Sequence, residues 1–145
     1  MAENPIFLYN ILPAERMIVV RFRGEITEDD VIEASRMICS DTRYRHGFDG
    51  LIDLAEITNA VTPAHIEELV EYSLSKRKHG HGKWAVIVST PAATAYAMIY
   101  QKKVADKHPF AIFCSFEGAA EFLKKPVDSI WLDANLTPAT TARNA

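Results

Sequence analysis

The chain lacks most of the residue patterns that mark specialised proteins. Its two cysteines, Cys39 and Cys114, form no Cys-x-x-Cys pair, so we expect reduced thiols that pack as small apolar residues. Its five histidines show no His-Glu-x-x-His spacing. It also has no Gly-x-Ser-x-Gly elbow and no glycine-rich phosphate loop. These absences predict a protein that is not an enzyme and that has no catalytic residue, no metal site and no cofactor.

Long apolar runs and a strong charge imbalance are also missing. The formal net charge of -3 argues against a dedicated nucleic-acid partner, which would need a basic surplus. No apolar run is long enough to form an integral membrane segment. The first residues lack a charged start followed by an apolar stretch, so we expect no secretory signal and a cytoplasmic location.

The length and composition are those of one ordinary globular domain. The chain has 145 residues, of which 48% are hydrophobic, and this is enough to bury a core without disulfides. We predict a single domain over residues 1–132. Residues 133–145 are rich in Ala, Thr and Asn, and we expect them to form a flexible tail.

The first part of the chain predicts a hairpin followed by a helix. Residues 6–12 and 16–23 form two extended runs around a turn at 13–15, and Ile18, Val20 and Phe22 alternate with their neighbours as in a half-buried strand. Thr27 and Asp30 have the spacing of a capping box, so a helix is expected from there to about Ser40.

The rest of the chain alternates strands and helices. Strands are predicted at 50–54, 84–88 and 109–114, with a short closing strand at 130–132. Thr62-Pro63 and Thr90-Pro91 are typical helix starts, and Ser115 or Glu117 opens another helix. The order β-β-α-β-α-β-α-β-α predicts an α/β fold, with a mixed, mainly parallel sheet, an antiparallel N-terminal hairpin, and helices packed on the sheet.

Polar residues gather where three parallel strands are predicted to end. Ligands of such sheets bind beyond the carboxyl ends of the strands. The loops there carry Thr58, Asn59, Thr62, Ser89, Thr90, Thr94 and Ser115. This surface suits an anion or a docking partner. The alternative is that Thr62 and Thr90 are helix caps and nothing more.

Two other features have both a functional and a structural interpretation. Tyr96 to Tyr100 are aromatic and apolar and lie among small alanines, so this helix walls a pocket, makes a dimer contact, or simply packs on the sheet. In the last case, we expect Ala92, Tyr96, Ile99 and Val104 to face inward. Asp53 lies inside an apolar run, where it has a perturbed pKa or simply hydrogen-bonds a neighbouring element.

Four segments carry a resemblance to a known family. They are residues 20–27 (VRFRGEIT), 50–54 (GLIDL), 83–87 (KWAVI) and 113–123, with their Glu-Gly-Ala-Ala. Over about residues 6–132, the chain resembles the SpoIIAA-like family, whose members share the STAS fold of anti-sigma-factor antagonists and are distantly similar to CRAL-TRIO lipid-binding domains. The resemblance implies a STAS-like regulatory module whose partner is a protein, such as a regulatory kinase or an anti-sigma-like protein.

The phosphorylation motif of that family is altered here. Its Asp-Ser-Ser-Gly motif, which opens the second helix, falls on Val61-Thr62-Pro63-Ala64. Pro63 stands at the acceptor position and has no hydroxyl to phosphorylate. Thr62, one position early, and Thr58 remain as candidate phosphorylation sites. The resemblance therefore implies protein binding without the usual phosphoserine switch.

Two functions remain as hypotheses. The first is a protein-interaction module that uses the 58–64 loop and the second helix. The second is a carrier or sensor of a small apolar or lipid-like ligand, with a cavity between the third helix and the sheet. A homodimer is compatible with either function. The candidate binding residues are Thr58, Asn59, Thr62, Pro63, His65, Ser89, Thr90 and Tyr96.

Overall fold

A computed structural model describes residues 7–76 and 82–136. They form a five-stranded sheet in the order β1-β2-β3-β4-β5. The strands are β1 (Phe7–Leu12), β2 (Met17–Gly24), β3 (Asp49–Ile57), β4 (Trp84–Ile87) and β5 (Phe110–Phe113). β1 and β2 are antiparallel, and β2 to β5 are parallel. The predicted α/β fold with a mixed, mainly parallel sheet and an N-terminal hairpin is confirmed.

Five α-helices accompany the sheet in the described part of the chain. They are α1 (Glu28–Ser40), α2 (Ile66–Lys76), α3 (Pro91–Val104), α4 (Phe116–Leu123) and α5 (Ser129–Asn135). Single 3₁₀ turns at Pro13–Glu15, Pro63–His65 and Ala105–Lys107 complete the order. Within these described ranges, no helix combines the length and the apolarity needed to cross a bilayer.

The two faces of the sheet are covered by different helices. Neighbouring parallel strands follow one another along the chain, so right-handed crossovers place α1, α2 and α3 on the same face. Val20 and Phe22 of β2 pack there with Ala34 of α1 and Ala97 of α3. The C-terminal helices cover the opposite face, and Leu132 of α5 packs there.

Local capping signals account for most helix starts. Thr27 and Asp30 form the predicted capping box of α1, and Thr90 and Ser115 cap α3 and α4. The prediction for Thr62 is wrong in one respect, because its side chain makes no capping hydrogen bond. A capping Thr62 would accept a hydrogen bond from the His65 N–H. That N–H instead donates to the Glu28 carboxylate at 2.6 Å. α2 itself begins only at Ile66, after the 3₁₀ turn.

The predicted closing strand at 130–132 is helix α5. Asp128 caps this helix by accepting the Trp131 N–H at 2.6 Å, and Leu132 is fully buried. Three apolar residues are too few to distinguish a strand from a buried helical turn. The helix continues past the predicted domain boundary to Asn135, whose carbonyl accepts a hydrogen bond of 2.7 Å from the Asn10 side chain. Residue 6 of the predicted first strand and residues 137–145 of the predicted tail lie outside the described residues.

The inner face of α3 differs from the prediction. The buried residues are Ala93, Ala97, Tyr100 and Val104, and Ile99 is 36% exposed. Alanines occur on both sides of this helix, so the apolar pattern alone did not define one stripe. The large ring of Tyr100 and the fully buried Val104 fix the rotation of the helix.

Candidate functional site

An apolar cavity lies between the sheet and helices α1, α2 and α3. Its volume is about 100 Å³. Side chains from four strands form its floor, and helical side chains form its roof. The floor residues include Val20, Phe22, Ile52, Leu54, Trp84, Val86 and Phe110, and the roof residues include Val31, Ala34, Ser35, Ile38, Leu69, Ser73, Tyr96, Ala97 and Tyr100.

This volume is unusual for a small domain. Protein interiors are close-packed and rarely leave a void larger than one water molecule. An apolar cavity of roughly 150 Å³ stays dry and takes up benzene. The observed space is therefore suited to a group between a short alkyl chain and one small ring.

Two aromatic residues shape the wall of the cavity at β4 and β5. Trp84 lies against the backbone of β3, where a Cβ on Gly50 would come within 2.3 Å of the indole ring. His108, which precedes β5, is 2% exposed and lines the cavity. His108 Nδ1 and the Tyr100 hydroxyl share a hydrogen bond of 3.2 Å. The sequence signal was weak, because a single histidine next to Pro109 has no periodicity that predicts burial.

Glu28 joins three elements at one end of the cavity. Glu28 is the first residue of α1, directly after the Thr27 cap, and it is 5% exposed. Its carboxylate accepts hydrogen bonds from the His65 N–H and from the Tyr96 hydroxyl. Burial, reinforced by the hydrogen bond and charge of Glu28, holds the pKa of Tyr96 far above its ordinary value. Tyr96 is therefore a neutral hydroxyl at the rim of the cavity.

A polar cleft of about 220 Å³ lies beside this end of the cavity. Residues of the 26–29 and 59–65 segments line it. Asn59 has a structural role there, because its side-chain amide accepts from the Ile26 N–H at 2.9 Å and donates to the Ile26 carbonyl at 2.8 Å. Thr62 and His65 are exposed, as is Pro63.

The structure brings together only part of the predicted binding surface. Asn59, Thr62 and His65 line the polar cleft, and Tyr96 lines the apolar cavity. Thr58 is exposed at the end of β3. Ser89 donates to the Ala55 carbonyl at 3.0 Å, and Thr90 caps α3. Neither Ser89 nor Thr90 lines the cleft or the cavity.

A buried ion cluster lies on the opposite face of the sheet. Arg21 Nε donates to Asp53 Oδ2 at 2.8 Å, and both side chains are almost fully buried. Asp133 of α5 and Glu56 also contact the Arg21 guanidinium from more exposed positions. Asp53 additionally accepts the Ala55 N–H at 2.9 Å. The structural alternative for Asp53, a hydrogen bond to a neighbouring element, is thus observed.

Metal-binding geometry does not occur in residues 7–76 and 82–136, where no three His, Cys, Asp or Glu side chains are grouped to hold an ion. Cys39 is half-buried and Cys114 is exposed, and both are free thiols. Comparison of the chain with protein-family models and with curated proteins gave no match in either case.

Proposed function

We propose that the protein binds a small apolar molecule in the cavity between the sheet and helices α1, α2 and α3. The observation that supports this function is the cavity itself, with its lining of aliphatic and aromatic side chains. Ligand pockets are mostly apolar and carry a few placed polar groups. A ligand that binds the native state in this space would also stabilise the fold by mass action. The role is that of a carrier or sensor, without a chemical step.

The rim of the cavity provides a way in. Val31, Val61 and Tyr96 line the cavity and are only half-buried. They belong to α1, the loop after β3, and α3, so the rim lies where these elements meet. A ligand longer than the cavity would extend outward past these residues.

Binding can be tested by thermal unfolding with a small aromatic probe. Toluene at about tenfold its Kd is expected to raise the Tm by about 4 °C, because a ligand of the native state stabilises it by mass action. The variant Ala97→Leu fills the cavity from α3 and should abolish this rise. Ala95→Leu, an exposed position on the same helix, should keep it. If toluene and aliphatic probes of similar size leave the wild-type Tm unchanged, the proposed function is wrong.

A second candidate function is a protein-interaction module of STAS-like type that uses the 58–64 loop. The resemblance to anti-sigma-factor antagonists motivates it. One structural observation favours it: Thr62 is exposed and its side chain makes no capping hydrogen bond, so the helix start does not account for its hydroxyl.

This second function predicts a partner that depends on Thr62. We expect the wild-type protein to retain from a cell extract a protein that Thr62→Arg loses, because a long charged side chain would disrupt docking at the loop. Thr42→Arg, on an exposed turn before β3, is the matched control and should retain it. Quantitative mass spectrometry of the captured proteins measures the difference. If Thr62→Arg captured as much of the partner as Thr42→Arg does, the 58–64 loop would not be the docking surface.

A further inference from the structure

The apolar cavity and the polar cleft adjoin each other. Ile26 lines both spaces. Val61, on the rim of the cavity, stands in the chain between Ala60 and Thr62, which line the cleft. A ligand that extends outward past Val61 therefore enters the cleft. Its apolar part would stay in the cavity, and its head group would lie among the polar side chains of the cleft.

The cleft contains a buried carboxylate whose charge no neighbouring side chain balances. Glu28 lines the cleft and is 5% exposed. Its hydrogen bonds come from neutral donors, the His65 N–H and the Tyr96 hydroxyl. Within residues 7–76 and 82–136, no basic side chain lies within ion-pair distance of it. Buried carboxylates are ordinarily paired with a cation, so this one points to a cation from outside the chain.

The N-terminus of α1 balances this charge only in part. Glu28 is the first residue of the helix, where the dipole is equivalent to about half a positive charge. Asp29 and Asp30 lie in the same turn and share that half charge. Asp29 is exposed and lines the cleft beside Glu28, and the described lining includes no Lys or Arg. His65, the one other ionisable side chain in that lining, is exposed to solvent. The cleft therefore favours a positive head group.

The hydrogen-bonding capacity of Glu28 restricts the head group further. A carboxylate has about four acceptor positions, and the His65 N–H and the Tyr96 hydroxyl occupy two of them. An ammonium group brings both a positive charge and three donors. A hydroxyl head would bring one donor and no charge, and an anionic head would be repelled by Glu28 and Asp29.

We infer that the ligand is a lipophilic amine, whose apolar part fills the cavity and whose ammonium group pairs with Glu28 in the polar cleft. The inference rests on the proposed function and adds the chemical class of the ligand. Asp29 adds a weaker attraction, because solvent screens it. Glu28 thus joins α1 to Tyr96 and to the turn before α2, and it also selects the charge of the head group.

Three probes with the same phenylethyl part test this selectivity: 2-phenylethylammonium, 2-phenylethanol and 3-phenylpropionate. Tyr96 lines the cavity and its hydroxyl reaches Glu28, so a phenyl ring with a two-carbon linker is long enough. By calorimetric titration at pH 7, we expect the ammonium to bind about tenfold more tightly than the alcohol, because hydrogen bonds to charged groups are the stronger ones. The propionate should bind about tenfold more weakly than the alcohol, because its charge is repelled.

Glu28→Gln should bind the alcohol as tightly as the wild type and lose the preference for the ammonium. The glutamine keeps a side-chain oxygen that accepts hydrogen bonds but removes the charge. The alcohol affinity reports whether the cavity of the variant is intact. Glu117→Gln, which removes an exposed acid from the first turn of α4, is the matched control and should keep the preference.

Ala64→Lys tests the cleft while leaving Glu28 in place. Ala64 is exposed and lines the cleft, so the new lysine adds a positive charge there. We expect the ammonium to bind about threefold more weakly and the propionate about threefold more tightly than in the wild type, which is the size of an exposed charge effect. This variant decides the proposal if Glu28→Gln does not fold, and unchanged affinities would overturn the placement of the head group in the cleft.

The outcomes separate this inference from the proposed function. If toluene and all three probes fail to bind, the proposed function fails and the inference fails with it. If the alcohol binds but the ammonium binds no more tightly, or keeps its preference in Glu28→Gln, the cavity is a binding site and the role of Glu28 is wrong. Propionate binding as tightly as the ammonium would overturn the selection for a cationic head group.

Discussion

Replacing Asp53 with alanine is expected to lower the free energy of unfolding by about 4 kcal/mol, because it leaves the buried Arg21 guanidinium without its buried carboxylate partner. Arg21 is 4% exposed, so little water reaches its guanidinium. Glu56 and Asp133 also contact Arg21, but their side chains are 47% and 60% exposed, so solvent screens them. They therefore replace only part of the lost interaction. Urea unfolding of the two proteins measures the difference.

Two variants control this prediction. Asp133→Ala removes the more exposed carboxylate, and we expect a cost of under about 1 kcal/mol. The double variant Arg21→Met with Asp53→Leu removes both buried charges and should recover most of the stability, since apolar pairs of similar size often replace buried ion pairs at little cost. An Asp53→Ala protein no less stable than Asp133→Ala would contradict a dominant role for the buried pair.

Replacing Glu28 with alanine is expected to cost about 3 kcal/mol, because two hydrogen bonds to a charged acceptor are lost in a buried setting. The Tyr96 hydroxyl and the His65 N–H would both lose their acceptor, and α1 would lose its link to α3 and to the 3₁₀ turn before α2. Chemical denaturation measures the effect. Asp29→Ala, an exposed acid in the same helical turn, is the matched control, and equal losses for the two variants would contradict the role of Glu28.

The pH dependence of stability in the variant Tyr96→Phe separates the contribution of the Tyr96 hydroxyl from that of the Glu28 carboxylate. Since the native state holds the pKa of Tyr96 above the ordinary value of 10.0, the unfolded chain ionises first as the pH rises. The stability from the neutral hydroxyl is present below pH 10.0 and is lost as the pH rises beyond it. The wild type should therefore lose stability more steeply above this pH than Tyr96→Phe. Parallel alkaline profiles would contradict the burial of this hydroxyl.

The parts of the fold that depend on neighbours in sequence could be predicted. The capping box of Thr27 and Asp30 lies within one turn, and the alternation of Ile18, Val20 and Phe22 lies within one strand. Helix α5 was missed because Ile130 to Leu132 are too few to show a period. The helical conformation of Ser129–Asn135 depends on the Asp128 cap and on the burial of Leu132 against the sheet.

The site was harder to predict, because its contacts join distant parts of the chain. Glu28 meets His65 and Tyr96, which are 37 and 68 positions away. An acidic residue in a first helical turn gives no sign of such partners. The burial of His108 likewise depends on Tyr100 and Trp84 from other elements. Tyr96 lies in the aromatic stretch for which a pocket wall was one of three interpretations, and it lines the cavity, whose position depends on how three helices pack.

The contacts of α5 also impose an order on folding. All four strand pairings join neighbours in the chain, so the sheet can grow outward from the β1-β2 hairpin one strand at a time. The bonds of α5 instead join residues 112 and 125 positions apart, to Arg21 and Asn10. A chain synthesised only through β5 would hold all five strands of the sheet, but the face that α4 and α5 cover would still be exposed. We therefore expect the docking of α5, the last helix in the described residues, to come late in folding, and before that step the exposed apolar face favours misassembly.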